Sequence, residues 1–242
     1  MLSKNQIKLV SSLHQKKYRK EYGLFLAEGI KVIQELLASK FELEHLYMTE
    51  NLLDDLPAKF KTVVSTVELN KMSALTTANN CLALFKIPKD CVLKDEGLIV
   101  ALEDIRDPGN LGTIIRLCDW FGISQIVCTK ETVDLYNPKV IQATMGSIGR
   151  VTIHYVDLEM FLKDTKQPIY GTFMNGKNIY EESLSKEGII LFGNEANGIS
   201  KKIENLVTSK IAIPQFGNLQ KTESLNVATA TAIVLSEFRR GT

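Results

Sequence analysis

The sequence predicts an α/β protein in two parts. The larger, C-terminal part is a mostly parallel sheet with helices on both faces, and the smaller N-terminal part is also α/β. Three observations predict this. The 242 residues are enough for one large domain or two small ones. From residue 98 onward, short fully apolar runs alternate with helix-like stretches, the pattern of a parallel sheet buried on both faces. Residues 88–97 are charged and contain Pro88 and Gly97, which marks a linker. The boundaries are set at 1–90 for the first domain, 91–97 for the linker and 98–242 for the second.

Residues 3–20 read as one polar helix. An apolar run bounded by Gly23 and Gly29 follows. Residues 27–39 read as a helix with Ile30, Ile33, Leu36 and Leu37 on one stripe. Strands are predicted at 43–48, 62–65 and 81–87. Ser65 and Glu68 make a capping box for a helix over 67–75. In the second part, strands are predicted at 98–102, 125–128, 151–155, 169–172, 189–192 and 210–213. Helices are predicted at 111–121, 138–147, 157–164, 200–207 and 224–239.

Composition excludes some classes. Apolar residues make up 45% and charged residues 24%, as in ordinary globular proteins. No run approaches the ~20 apolar residues of a membrane span. The Lys-rich start is not followed by the apolar core of a secretory signal, so a cytoplasmic location is expected. Cys81, Cys91, Cys118 and Cys128 form no Cys-x-x-Cys, and His14, His45 and His154 are scattered. No metal is expected, and the cysteines read as buried reduced thiols. A net charge of +1 neither supports nor excludes nucleic acid. One local patch stands out: residues 1–20 carry Lys4, Lys8, Lys16, Lys17, Arg19 and Lys20 and no acidic residue. It reads either as a solvated helix face or as an arm for phosphates, with Lys16, Lys17, Arg19 and Lys20 as the contacts.

In an open parallel sheet, ligands bind outside the carboxyl ends of the strands. Three strand ends run into unusual polar sequence. The first, after 98–102, is Asp107-Pro-Gly-Asn110-Leu-Gly112-Thr-Ile-Ile-Arg116, with Asn110 as a natural N-cap. A helical Arg116 would lean back toward the strand end, or pair with Asp119. The second is Gly193-Asn-Glu195-Ala-Asn-Gly198, two glycines bracketing a carboxylate in a turn. The third is Ile213-Pro214, followed by Ser224-Leu225-Asn226 at the mouth of an apolar helix. Ser224 or Thr222 is the expected N-cap, and Ser224 and Asn226 serve either capping or a ligand. A site with few full charges, small residues and many backbone groups suits an adenine and a ribose.

These three motifs, in this order, resemble those of the SpoU (TrmH-like) RNA ribose methyltransferases, over about residues 95–242. Residues 1–90 more loosely resemble the family's N-terminal substrate-binding domain, through Arg19 and Gly23-Leu-Phe-Leu-Ala-Glu28-Gly29. The resemblance implies a trefoil-knotted sheet and a homodimer with the site near its interface. It implies transfer of a methyl group from S-adenosylmethionine to a ribose 2′-oxygen of ribosomal or transfer RNA. It implies that Thr172, Gly193, Ile213 and Leu225 contact the cofactor, that Arg116 is the catalytic arginine, and that Asn110, Glu195, Ser224 and Asn226 position it and the ribose. Ribosomal RNA is the preferred expectation. The loop between Gly217 and Ser224 is longer than in many members, so Lys221 or Glu223 is positioned to reshape RNA contact.

Arginine is always protonated and a poor base, so Arg116 is expected to hold a phosphate and stabilise charge on the 2′-oxygen. Other readings compete. Gly171-Thr-Phe-Met-Asn-Gly176-Lys177-Asn178 nearly matches a phosphate-binding loop, but Asn178 replaces the magnesium-binding hydroxyl. A Rossmann dehydrogenase lacks its Gly-x-Gly-x-x-Gly. An RNA-binding protein of the same fold without activity would be expected to lack Arg116, Glu195, Ser224 or Asn226, and all four are present.

Overall fold

The computed structural model describes residues 2–89, 91–219, 221 and 224–240. The chain divides into two compact units. The first comprises Met1–Asp90 and Asp134–Arg150, the second Cys91–Val133 and Val151–Thr242.

The first unit contains α1 (Lys4–Ser12), α2 (Lys16–Tyr22), β1 (Leu24–Glu28), α3 (Ile30–Leu37), β2 (Leu43–Met48), β3 (Lys61–Val63), α4 (Thr66–Met72) and β4 (Cys81–Lys86). The single helix expected over 3–20 is two. Ser3 and Gln6 form a capping box for α1, and Gln15 is extended where the chain turns. Leu13, in that turn, is buried with Val10, Leu26, Leu69, Met72, Leu82 and Leu84. The sheet order is β1-β4-β2-β3, with β3 joining parallel to β2. Elsewhere in this unit Phe25 packs on Phe41, Phe85 and Tyr136, with ring centroids 5.1, 5.7 and 4.8 Å apart.

Tyr136 belongs to the segment 134–150, which the sequence reading placed with the C-terminal part. It folds here instead: its helix Pro138–Thr144 packs on β1, and Arg150 pairs with Glu35 at 2.7 Å. Arg19 is the other correction. It is only 3% exposed. Its Nε and Nη2 donate to Asp134 Oδ2 (3.0 and 2.5 Å), and its Nη1 to the carbonyls of Leu13 and His14 (2.8 and 2.9 Å). The guanidinium is spent on holding α2 in place and is not an RNA contact. A buried arginine persists only when paired and hydrogen-bonded in this way. Lys16, Lys17 and Lys20 are exposed on the same helix. Glu28 is buried too, and its carboxylate accepts from the Ser73 hydroxyl (2.6 Å) and the Ala74 amide (2.8 Å).

The second unit contains β5 (Leu98–Leu102), α5 (Pro108–Trp120) and β6 (Gln125–Cys128). After α6, the helix Pro138–Thr144 already described, come β7 (Thr152–Tyr155), α7 (Leu158–Asp164), β8 (Ile169–Asn178), β9 (Gly188–Phe192), α8 (Lys201–Glu204), β10 (Ser209–Ala212) and α9 (Val227–Arg239). The sheet is six-stranded and parallel throughout, in the order β10-β8-β9-β5-β6-β7. Leu158, Leu162 and Ile203 of α7 and α8 cover the face of Ile99, Ala101, Ile169 and Ile189. On the opposite face, α5 packs on α9, and Phe238 of α9 meets Tyr170 edge-on at 5.0 Å. Cys81, Cys118 and Cys128 are buried, while Cys91 is exposed against expectation. Burial pushes the Cys81 thiol up to about 11, out of the reactive range.

Two helix starts differ from expectation. Asp107, not Asn110, caps α5: its Oδ1 accepts the Asn110 amide at 2.8 Å, and Pro108 takes the first helical position. Asn226, not Ser224, caps α9. The alternative cap Thr222 lies outside the described residues. β8 is also longer than predicted. Its register against β10 jumps from Gly171 opposite Lys210 to Lys177 opposite Ile211, so 172–176 bulge outward. The apparent phosphate loop is therefore an irregular strand, followed only by the 3-10 turn Ile179–Glu181 and not by the α-helix N-terminus that would receive a phosphate.

Glu68 gives the first unit a pH dependence. Its carboxylate accepts the backbone amides of Ser65 and Leu2 and the Ser65 hydroxyl, and these hold its pKa at about 2 against an ordinary 4.5. A depressed folded-state pKa contributes stability above the ordinary value, lost as pH falls through the folded one. The advantage of the wild type over Glu68→Gln in urea midpoint, followed by circular dichroism, is therefore expected to be full above pH 4.5 and to shrink toward pH 2.

Candidate active site

The site begins with strand register. Leu102 at the end of β5 lies opposite Phe192 at the end of β9, and the Glu103 amide donates to the Phe192 carbonyl at 2.9 Å. Two polar loops therefore leave neighbouring strands at one level. From β5 the chain goes to β6 and β7 on one side, while β9 and β8 lie on the other. Such a reversal opens a crevice at the strand ends.

In the first loop, Asp104 takes a left-handed backbone, φ 57°, which aspartate tolerates better than most residues. Thr129 Oγ1 accepts its amide at 3.0 Å. Its carboxylate accepts from Arg106 Nε at 2.8 Å and pushes the arginine pKa further up. Arg106 is a second cation at this strand end, and the sequence reading gave it no role.

In the second loop, Asn194 and Gly198 exchange backbone hydrogen bonds of 3.1 and 2.9 Å. Asn194 Oδ1 accepts the amides of Ala196 and Asn197, both at 3.0 Å, and its Nδ2 donates to the Asp104 carbonyl at 2.8 Å. Asn194 thus shapes its own loop and ties it to the first. The sequence reading singled out Glu195 in this loop and gave Asn194 no role. The missed signal was an asparagine directly after a glycine at a strand end, where its side chain can replace backbone partners. Gly193 is required sterically: a Cβ there would lie 2.3 Å from the Gly198 carbonyl carbon.

Glu195 stands exposed at the tip of this loop, where Asn110 Nδ2 donates to its Oε1 at 3.0 Å. Asn110 Oδ1 accepts from Asn226 Nδ2 at 2.9 Å. Asn226 Oδ1 accepts the amides of Ala228 and Thr229 at 2.9 and 3.2 Å. One line of hydrogen bonds joins all three motifs. Its direction is set at the α9 N-terminus, where only an oxygen can meet the open N–H groups. The Asn226 amine then faces Asn110, whose oxygen must turn to it, which leaves the Asn110 amine for the carboxylate.

Beside this line lies a cavity of about 930 Å³. Thr172, Gly193, Ile213 and Leu225 all line it, together with Glu195 and Ser224. Thr172 spends its hydroxyl on the Leu191 carbonyl at 3.0 Å. Phe216 and Leu219 also line it, although they are 83% and 79% exposed, and form an apolar rim that the sequence reading did not single out. Lys221 is on the wall as well, while Glu223 lies outside the described residues. Asn110 and Asn226 do not line the cavity, and neither does Arg116. Because α5 begins before Asn110, Arg116 stands roughly 13 Å along the axis from its cap. It is exposed.

Loss of the α9 cap costs about 1 kcal/mol in the usual case. Asn226→Ala is expected to lower the urea midpoint by that amount, while Asn226→Asp, which keeps the capping oxygen, stays closer to wild type. Equal midpoints for Asn226→Ala and wild type would remove the cap from this account.

Comparison with known proteins agrees with this geometry. The profile of the SpoU rRNA Methylase family matches residues 97–236, and that of the MRM3-like substrate binding domain matches residues 4–83. The 23S rRNA (guanosine(2553)-2'-O)-methyltransferase RlmP of Bacillus subtilis is 28% identical over 98% of this chain and 97% of its own length. A solved structure from Porphyromonas gingivalis, assigned to the TrmH family of RNA methyltransferases, superposes with a TM-score of 0.90 at 34% identity over the whole of both chains. The AdoMet-bound rRNA methyltransferase from Sinorhizobium meliloti superposes at 0.87 and 28% identity, over 99% of this chain and 96% of its own. The expected fold class stands: an α/β protein whose parallel sheet is of the trefoil-knotted methyltransferase type.

Proposed function

Because the chain belongs to the SpoU rRNA methylase family, we propose that it transfers a methyl group from S-adenosylmethionine to a ribose 2′-hydroxyl of RNA, and that this RNA is ribosomal. The observation that carries the reading is the hydrogen-bonded line Glu195–Asn110–Asn226, which brings three distant motifs to the edge of one cavity. Ribosomal substrate is favoured because the Bacillus subtilis relative, which matches nearly the whole chain, is named for 23S rRNA.

The cavity fits the cofactor. Its walls combine main chain at Gly193 and Gly198 with the apolar side chains of Ile213 and Leu225, suited to a flat purine. Glu195 also lines it, suited to a cationic ligand, while the carboxylate of Glu204 is held by Lys210 and Lys201. When bound, S-adenosylmethionine supplies a methyl group on a positively charged sulfur. The protein's share is to position, to exclude water and to stabilise charge. Gly193 keeps the loop close, since any side chain would collide with Gly198. Ser224 lines the cavity, where its hydroxyl would meet the ribose. Glu195, oriented by Asn110, holds the ribose edge. Arg116 holds a phosphate and stabilises the negative charge that develops on the 2′-oxygen.

Arg116 lies outside its own cavity, and this favours a homodimer. Gly109, Thr113, Arg116 and Trp120 form an exposed stripe along α5 at helical spacing, ending in a tryptophan that is 84% exposed. A second copy packed on that stripe would bring its Arg116 to this cavity.

Two measurements test these points. Gly193→Val is expected to abolish S-adenosylmethionine binding by calorimetry, while Arg116→Ala retains binding and loses transfer by a factor of ~100 or more. Isolated mixed dimers of Arg116→Ala with Gly193→Val would then recover up to half of wild-type activity, because one cavity is complete. Mixed dimers as inactive as their parents would place Arg116 in its own subunit's site.

A further inference from the structure

We propose that α2 carries a stacking shelf for an unpaired base of the RNA, so that the first unit grips a single-stranded segment and not a duplex. This rests on the reading of the chain as an RNA methyltransferase. Tyr18 and Tyr22 stand one helical turn apart, with ring centroids 6.3 Å apart and planes only 16° from parallel. Tyr22 is 44% exposed, and Gly23 in the left-handed conformation ends the helix beside it, with nothing within 4 Å of a Cβ built there. The shelf is therefore open on its C-terminal side.

Its surroundings carry the charge that RNA needs. Lys17 Nζ lies over the Tyr18 ring, 5.5 Å from its centroid. Lys16 and Lys20 are exposed on the same seven-residue helix. Aromatic faces that take bases of any sequence, bordered by ammonium groups that follow the backbone, are the chemistry of single-strand binding. Duplex RNA offers no base face to such a shelf. Glu21 is the one acidic residue of the helix.

Arg19 makes the shelf rigid. From the adjoining, buried face of α2 it fixes the helix to two carbonyls and to Asp134. The tyrosines are thus presented without an ordering cost on binding, which raises affinity for a given contact. The residue first read as an RNA contact instead holds in place the ones that make contact.

The test uses the full chain and fluorescence anisotropy with a labelled single-stranded 12-mer of adenylate, a blunt 12-base-pair RNA duplex and phosphatidylglycerol vesicles. Tyr22→Ala and Tyr18→Ala are each expected to weaken single-strand binding about tenfold, at ~1–3 kcal/mol per stacked base. The salt dependence should be unchanged, and Tyr→Phe at either position should bind like wild type. Lys16→Gln, Lys17→Gln and Lys20→Gln combined should flatten the salt slope, by about 0.7 per lost phosphate contact. The proposal is overturned if the alanine variants bind like wild type, if the phenylalanine variants are as weak as alanine, or if the duplex binds as tightly as the single strand. It is also overturned if the tyrosine changes affect only vesicles. Its failure would leave methyl transfer by the wild type intact, whereas failure of the functional reading would leave RNA bound and unmethylated.

Discussion

A side-chain amide presents its acceptor and its donors on opposite sides, and Asn226 uses both at once. Its oxygen closes the first turn of α9, and its nitrogen reaches Asn110. Neither bond is strong alone, since each replaces one made to water. Their value is geometric. The helix terminus fixes the polarity of Asn226, which fixes that of Asn110, which leaves one donor directed at Glu195. A helix start thereby sets the orientation of a carboxylate two loops away. The parallel pairing of β5 with β9 is the other half of the constraint, because it delivers the two loops to the same level.

The buried strands were the most legible part of the chain. Leu98–Leu102 and Gln125–Cys128 are short, apolar and bounded by polar turns, and they fold where the pattern placed them. Helix starts were harder, for a physical reason. Asp107 and Asn110 are both good caps, and so are Ser224 and Asn226. Pro108 decides the first case, because proline fits the first helical position and Asn110 then falls inside the helix. Nothing in the local sequence decides the second. Asn226 wins there while also bonding to a residue more than a hundred positions away.

Side-chain direction was least legible. Arg19 belongs to a run of cations and reads as solvent-facing, yet it is the buried one. Its partner Asp134 lies far along the chain, and no spacing rule connects them. Asn194 was read as part of a turn, but its amide bridges two loops. Arg116 was identified by the motif that contains it. Where its guanidinium lies relative to the cavity depended on the start of α5, and a three-residue shift in that start moved it nearly a full turn.

The path of residues 134–150 bears on how this chain is synthesised. They are encoded between β6 and β7 of one sheet, yet Tyr136 and the helix after it complete the packing of Phe25 and β1 in the other unit. A ribosome that has released only the first ninety residues has therefore released an unfinished core. The nascent chain must keep Phe25 and Arg19 without their partners until Asp134 and Tyr136 emerge, about two to nine seconds later at usual elongation rates of about 5–20 residues per second. During that interval an apolar face is open to chaperones and to neighbouring nascent chains. A fragment cut at the linker would carry the same exposure permanently.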